Sequence, residues 1–222
     1  MQALESTSSL IVYIDIKSPY AFVAIKPILA LEARLKTQFD WRPLTLNIPS
    51  YLGSAKKSKG KIVESERSLA QWKNVRYAYL DARRYAERQG YMLKGTEKIW
   101  DSSIANIAIL WVAQNARDRL PAYLGAVYSV FWRRELDIED VTVIEETLRV
   151  ANVATRGFSD FVSGEGRAAH DGLQDQLHPA GIYGVPSFVF NGQVLFGREH
   201  LPYVGWHLDG RKGVCPDMAY EL

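Results

Sequence analysis

Ile14-Asp15-Ile16-Lys17-Ser18-Pro19-Tyr20-Ala21-Phe22-Val23 (IDIKSPYAFV) is the stretch whose reading decides the fold. Residues 10–14 at its head are short, apolar and β-rich, the pattern of a strand covered on both faces of a sheet. Ser18 then offers a hydroxyl that can accept from an orphan backbone N–H, and Pro19 suits the first helical position, where no N–H is needed. A strand thus runs almost directly into a helix. Most such Ser-Pro pairs are caps and nothing more. A helix N-terminus also presents unpaired N–H groups and a partial positive charge, which favour an anion beside the serine hydroxyl.

Downstream, Phe22, Ile25, Ile28, Leu29, Ala33 and Leu35 keep roughly helical spacing, and residues 39–46 alternate like a second strand. This is a β-α-β unit, whose strands are normally parallel. Between residues 61 and 176 strand signals almost vanish. Helices are predicted over 69–89, 103–116, 122–134 and 141–150, with ends or loops at Gly90, Pro121, Gly157 and residues 164–166. Residues 187–190 and 193–196, joined by Asn191-Gly192, carry a strong β-hairpin signal, and a last short helix is expected over 199–208. Pro186 stands directly before the hairpin strand. Either a cis bond in a tight turn or a trans proline at the strand's first position satisfies that placement.

At 222 residues and 47% hydrophobic, the chain can bury a core without covalent staples. Its 27 basic and 25 acidic residues leave a net charge of +2, which provides no field to attract nucleic acid or an anionic membrane. The cluster Lys56-Lys57-Ser58-Lys59-Gly60-Lys61 could meet a phosphate, but a solvated loop is the plainer expectation. The single cysteine, Cys215, excludes an intrachain disulfide and a cysteine-based metal cluster, and no metal is expected. The opening MQALESTSSL lacks a basic segment followed by a long apolar one, and no stretch approaches the ~20 apolar residues of a membrane span. A soluble, cytoplasmic protein is expected.

Asp15-Ile16-Lys17-Ser18-Pro19-Tyr20, the helical insertion, Gly184-Val185-Pro186-Ser187 and Phe196-Gly197-Arg198-Glu199-His200-Leu201 together resemble one branch of the DsbA-like thioredoxin-fold superfamily. That branch contains 2-hydroxychromene-2-carboxylate isomerases and kappa-class glutathione transferases. The resemblance implies an α/β, thioredoxin-like fold with a large all-helical insertion. Residues 1–60 and 177–222 would form the thioredoxin-like domain and 61–176 the insertion.

Ser18 stands where redox-active relatives place the first cysteine of CxxC, and Ala21 where they place the second. A helix N-terminus that stabilises a protein thiolate can equally stabilise one brought by glutathione. The resemblance therefore implies a catalytic Ser18 facing the glutathione sulfur. It further implies that Val185, before a cis Pro186, offers its backbone to the cysteinyl part. Glu199 would receive the γ-glutamyl ammonium, His200 would assist, and Lys73 would hold the glycyl carboxylate. Asn106 resembles an asparagine near the isomerases' substrate site; where they tend to carry arginine just before it, this chain has Ile104-Ala105.

The implied activity is a glutathione-dependent isomerisation of a small hydrophobic or aromatic electrophile, by reversible thiolate addition to an activated double bond. A kappa-class-like glutathione transferase is the neighbouring alternative, and a catalytically silent thioredoxin-fold binding protein is the alternative of another class. Relatives usually pair, and Trp100, Trp111, Tyr123, Phe131 and Trp132 are bulky enough to exceed one core, so a homodimer is expected.

Overall fold

A computed structural model describes residues 2–59 and 61–217. At its centre lies β1 (Ile11–Ile14), buried along its whole length. It pairs in parallel with β2 (Asp40–Pro43), Ile11 opposite Asp40 and Ile14 opposite Pro43. On its other side it pairs antiparallel with β5 (Ser187–Phe190), Tyr13 opposite Ser187. The hairpin partner β6 (Gln193–Phe196) completes the order β2-β1-β5-β6. Asn191 and Gly192 both take positive φ, 48° and 72°, which suits the tight turn their sequence predicts.

Helix α1 (Pro19–Leu35) joins β1 to β2 and starts at Ser18, whose side chain accepts from the Ala21 N–H at 3.2 Å. Pro27 sits inside this helix and has no N–H to give the Val23 carbonyl. Gln89 Nε2 fills that place at 2.8 Å, tying α1 to the end of α3 (Leu69–Arg88). The helix stops at Lys36, in the left-handed region at φ 50°, with its N–H turned back to Ala33 O.

Between β2 and α3 come the short α2 (Ile48–Leu52) and a hairpin of β3 (Ala55–Ser58) and β4 (Lys61–Ser65). Sequence reading expected a solvated lysine-rich loop here and almost no strand signal between residues 61 and 176. The difference has a physical reason: every residue of β4 is exposed, so no apolar alternation marks it, and only its ladder to β3 defines it. The expected boundary at residue 60 falls between these paired strands.

The helical layer follows as α4 (Ser103–Asn115), α5 (Leu120–Phe131), α6 (Val141–Val150), α7 (Phe158–Ser163) and α8 (Glu165–Leu177). Of the breaks expected as helix ends or loops, Pro121 falls in the first turn of α5, Gly157 caps the start of α7, Gly164 separates α7 from α8, and Gly166 lies within α8. After β6, a 3-10 turn over Arg198–His200 precedes α9 (Leu201–Leu208), so the last α-helix begins two residues later than sequence spacing predicts. One continuous core joins sheet and helices, from Val12 and Phe188 to Ile107, Val127 and Leu148. Tyr123, Phe131 and Trp132 lie inside it, while Trp100 and Trp111 pack against it. Those aromatics are therefore accounted for within one chain. Among the described residues, no helix is long and apolar enough to cross a membrane.

Candidate functional site

A cavity of about 1300 Å³ opens where the β1–α1 turn meets the segment after β2, α3 and the end of α8. Lys17, Ser18, Pro19 and Tyr20 form part of its wall, as do Thr45, Tyr51, Val185 and Phe196. It exceeds the ~300–1,000 Å³ of ordinary small-molecule sites, so it has room for a tripeptide and a second compound together.

Ser18 is 4% exposed. Its oxygen caps α1, and among the described residues its hydroxyl proton has no acceptor. The group can thus donate into the cavity at the positive end of a 17-residue helix. The Val185–Pro186 bond is cis, and among the described residues the Val185 N–H has no hydrogen-bond partner. Val185 lines the cavity; Pro186 is buried, and its carbonyl accepts from Gly197 N–H at 2.9 Å. Nearby, the Phe196 ring occupies the space that a Cβ at Gly184 would need, 2.5 Å away.

Beneath Ser18 lies a polar network anchored on Asp15, which is fully buried. Its Oδ1 accepts from Ser102 Oγ and from Asn106 Nδ2 at 3.1 Å, and its Oδ2 accepts from Leu46 N–H at 2.8 Å. Asn106 is also fully buried: its Oδ1 accepts from Ile16 N–H at 3.2 Å, and its Nδ2 reaches Thr45 Oγ1 at 2.7 Å. This asparagine does not line the cavity, because its amide is used in holding the β1–α1 turn; Thr45, which it orients, does. Thr45 Oγ1 lies 2.8 Å from His170 Nε2, and His170 Nδ1 lies 2.7 Å from Asp171 Oδ1. Burial pushes the His170 pKa down, against the pull of Asp171 in the other direction.

Charge completes the site. The Lys17 side chain is 7% exposed, and its ammonium lies 3.9 Å from Asp15 Oδ2. Burial and the Asp15 carboxylate push the Tyr51 phenol up to about 12, so it stays a protonated donor. Lys57, Arg67, Arg76 and Arg83 stand around the cavity, though Arg67 and Arg83 already donate to the Gly53 and Leu93 carbonyls.

Of the residues singled out from sequence, Ser18 and Val185 meet at this cavity. Lys73 is exposed on α3 and does not line it; Arg76, one turn further, does. Glu199 and His200 lie on the 3-10 turn before α9 and do not line it either. The Glu199 carboxylate folds back over Gly197, where no Cβ obstructs it. Sequence reading missed Asp15, Lys17, Thr45 and His170 as site residues. The usable signal was Asp15, an acid closing an otherwise apolar buried strand.

A family model described as the DSBA-like thioredoxin domain matches residues 9–208. A 2-hydroxychromene-2-carboxylate isomerase of Sphingobium xenophagum is 22% identical over 203 residues, spanning 91% of this chain and 98% of that protein. Among solved structures, a 2-hydroxychromene-2-carboxylate isomerase superposes with a TM-score of 0.67 at 16% identity, over 91% of this chain and 93% of that one. The cytosolic disulfide reductase DsbM of Pseudomonas aeruginosa, solved with GSH, gives a TM-score of 0.53 at 15% identity, over 91% and 98%.

Proposed function

Since the chain belongs to the DsbA-like thioredoxin-domain family, we propose that it is a glutathione-dependent isomerase of small hydrophobic or aromatic electrophiles, active as a cytoplasmic homodimer. The observation that carries this reading is the buried Ser18 hydroxyl, which caps α1 through its oxygen and, among the described residues, keeps its proton unspent at the cavity wall. A protein with no cysteine at this helix start has no nucleophilic sulfur of its own there. The residues present fit a thiol ligand: a donor at a positive helix end, and a Val185 N–H that is unpaired among the described residues, for an extended peptide backbone.

When bound, glutathione would supply a thiolate that adds reversibly to an activated double bond and so allows rotation about it. Ser18 would hold the sulfur as its anion by donating to it. The N–H of Val185 would orient the cysteinyl segment. Arg76 stands within the cavity lining, and a carboxylate end of the tripeptide is a natural partner for its guanidinium. Lys17 and the protonated Tyr51 would hold charge that develops on the electrophile's oxygen.

The test is direct. Glutathione is added and the thiolate absorbance followed, then an electrophilic enone is supplied and the product examined for sulfur. An isomerised product without sulfur supports the proposal. A stable conjugate would replace it with a transferase, and the absence of any bound thiolate would leave a binding protein. Pairing is tested by sedimentation at micromolar concentration, where a 25.1 kDa species would remove the homodimer.

A further inference from the structure

The contacts around Thr45 fix the direction of every proton in a chain that leads from the cavity to the outer surface. Asn106 Oδ1 accepts from the Ile16 N–H, so its Nδ2 is the end that donates to Thr45 Oγ1. At the far end, the Asp171 carboxylate can only accept, so His170 carries its proton on Nδ1. A neutral imidazole then has a bare Nε2, and Thr45 donates its hydroxyl proton to it across 2.8 Å. One lone pair of Thr45 Oγ1 remains. The backbone of Thr45 is pinned as well, by Gln174 Oε1 on its N–H at 2.8 Å.

His170 is 3% exposed, whereas the side chain of Asp171 is 58% exposed and faces water. The ionisable groups that act on the imidazole are Asp171 and Arg167 from α8 and Asp101 from the segment before α4. Arg167 lies 3.8 Å from Asp171 and, as a cation, works with burial against the imidazolium, while Asp171 and Asp101 favour it.

We propose that Thr45, His170 and Asp171 form a proton relay that takes the proton of a hydroxyl-bearing ligand, a phenol or an enol, held in the cavity. The ligand O–H bond breaks and its proton joins Thr45 Oγ1. The Thr45 O–H bond breaks in turn and that proton joins His170 Nε2. The ligand is left as an oxyanion, and the imidazolium is balanced by Asp171 through Nδ1–H. Lys17 offsets the Asp15 carboxylate, whose charge otherwise opposes an anion in the cavity: its ammonium and the Leu46 N–H both face Asp15 Oδ2, which places the cation beside the Thr45–Leu46 segment after β2. Run in reverse, the relay returns a proton to an oxyanion formed in the cavity. Thr45 is the residue that touches the ligand; His170 acts through it. The relay needs no glutathione and stands whether or not the proposed function does.

The test uses 4-nitrophenol with the full chain and no glutathione, because the ionised and neutral phenol differ in visible absorbance. For the wild-type protein, the bound phenol should be ionised about tenfold more than the free phenol at a pH below its own pKa, a shift of about one unit. Thr45→Val and His170→Gln should each abolish the shift, and Thr45→Ser should restore it. Thermal unfolding of each variant separates lost folding from lost chemistry. If the phenol does not bind, binds with unchanged ionisation, or shows the same shift in folded Thr45→Val protein, the relay is overturned.

Discussion

The floor and the mouth of the cavity are built on opposite principles. At the floor, Asp15 collects donors from positions 31, 87 and 91 residues away, and Thr45 meets His170 across 125. The mouth is exposed: the β3–β4 hairpin leaves all of β4 in solvent and is tied down by a few contacts such as Lys57 N–H to Glu97 O and Arg67 Nε to Gly53 O. A buried network with every member satisfied fixes one geometry, because each missing partner leaves a group desolvated and unpaired. An exposed hairpin with few apolar contacts lies at the low-stability end of a fold and tolerates change. For the proposed function, reaction geometry would thus belong to the floor, and choice of ligand to the mouth.

The sharpest way to break that contrast is Asp15→Ala. It removes the acceptor of Ser102, Asn106 and the Leu46 N–H and strands the Lys17 ammonium, so it should cost about 3–5 kcal/mol in chemical denaturation. A cost below 1 kcal/mol would mean the floor is no more constrained than the mouth. Next in size is Ser18→Ala, expected to lose about 0.5–2 kcal/mol as a cap. It should also raise the pKa of any bound thiol and slow turnover at neutral pH, with partial recovery as the pH rises; an unchanged thiol titration would leave Ser18 as a helix start only.

A smaller effect concerns acid. His170 is held neutral by burial, so its folded pKa is below that of the unfolded chain, about 6.5. As pH falls below that value the unfolded chain binds the proton more readily, and stability declines toward the folded pKa. His170→Gln should flatten this decline in urea titrations across the weakly acidic range; an identical slope would remove His170 as its source. At the mouth, Val63→Ser should change stability by less than about 0.5 kcal/mol, while Arg76→Gln should leave the melting temperature alone and weaken glutathione binding. A large loss of stability from Val63→Ser would make the hairpin a structural element and erase the division.

Much of the frame was legible in sequence because its signals are local. Ser18-Pro19 announces a cap within a few residues, and Asn191-Gly192 announces a turn by the left-handed conformations both residues adopt. The β3–β4 hairpin was not legible, since strands of lysine, serine and glutamate with no buried face leave no period to read. The floor network escaped for the opposite reason. Thr45 and His170 are ordinary residues in their own neighbourhoods and acquire a role only when the segment after β2 meets α8. Lys73 shows the same limit on a helix: one turn separates an exposed lysine from the arginine that does face the cavity.

The Phe196 ring in the place of a Gly184 Cβ makes the history of this wall depend on the order of events. While the ring remains, an alanine at 184 must push it off its contact with Tyr183, 5.3 Å between centroids, and reshape the entrance. Once position 196 has become small, the three atoms nearest to that alanine's Cβ are gone. A lineage adapting to new ligands would therefore find one substitution opening the way to the other, and the glycine would persist only as long as the aromatic neighbour does.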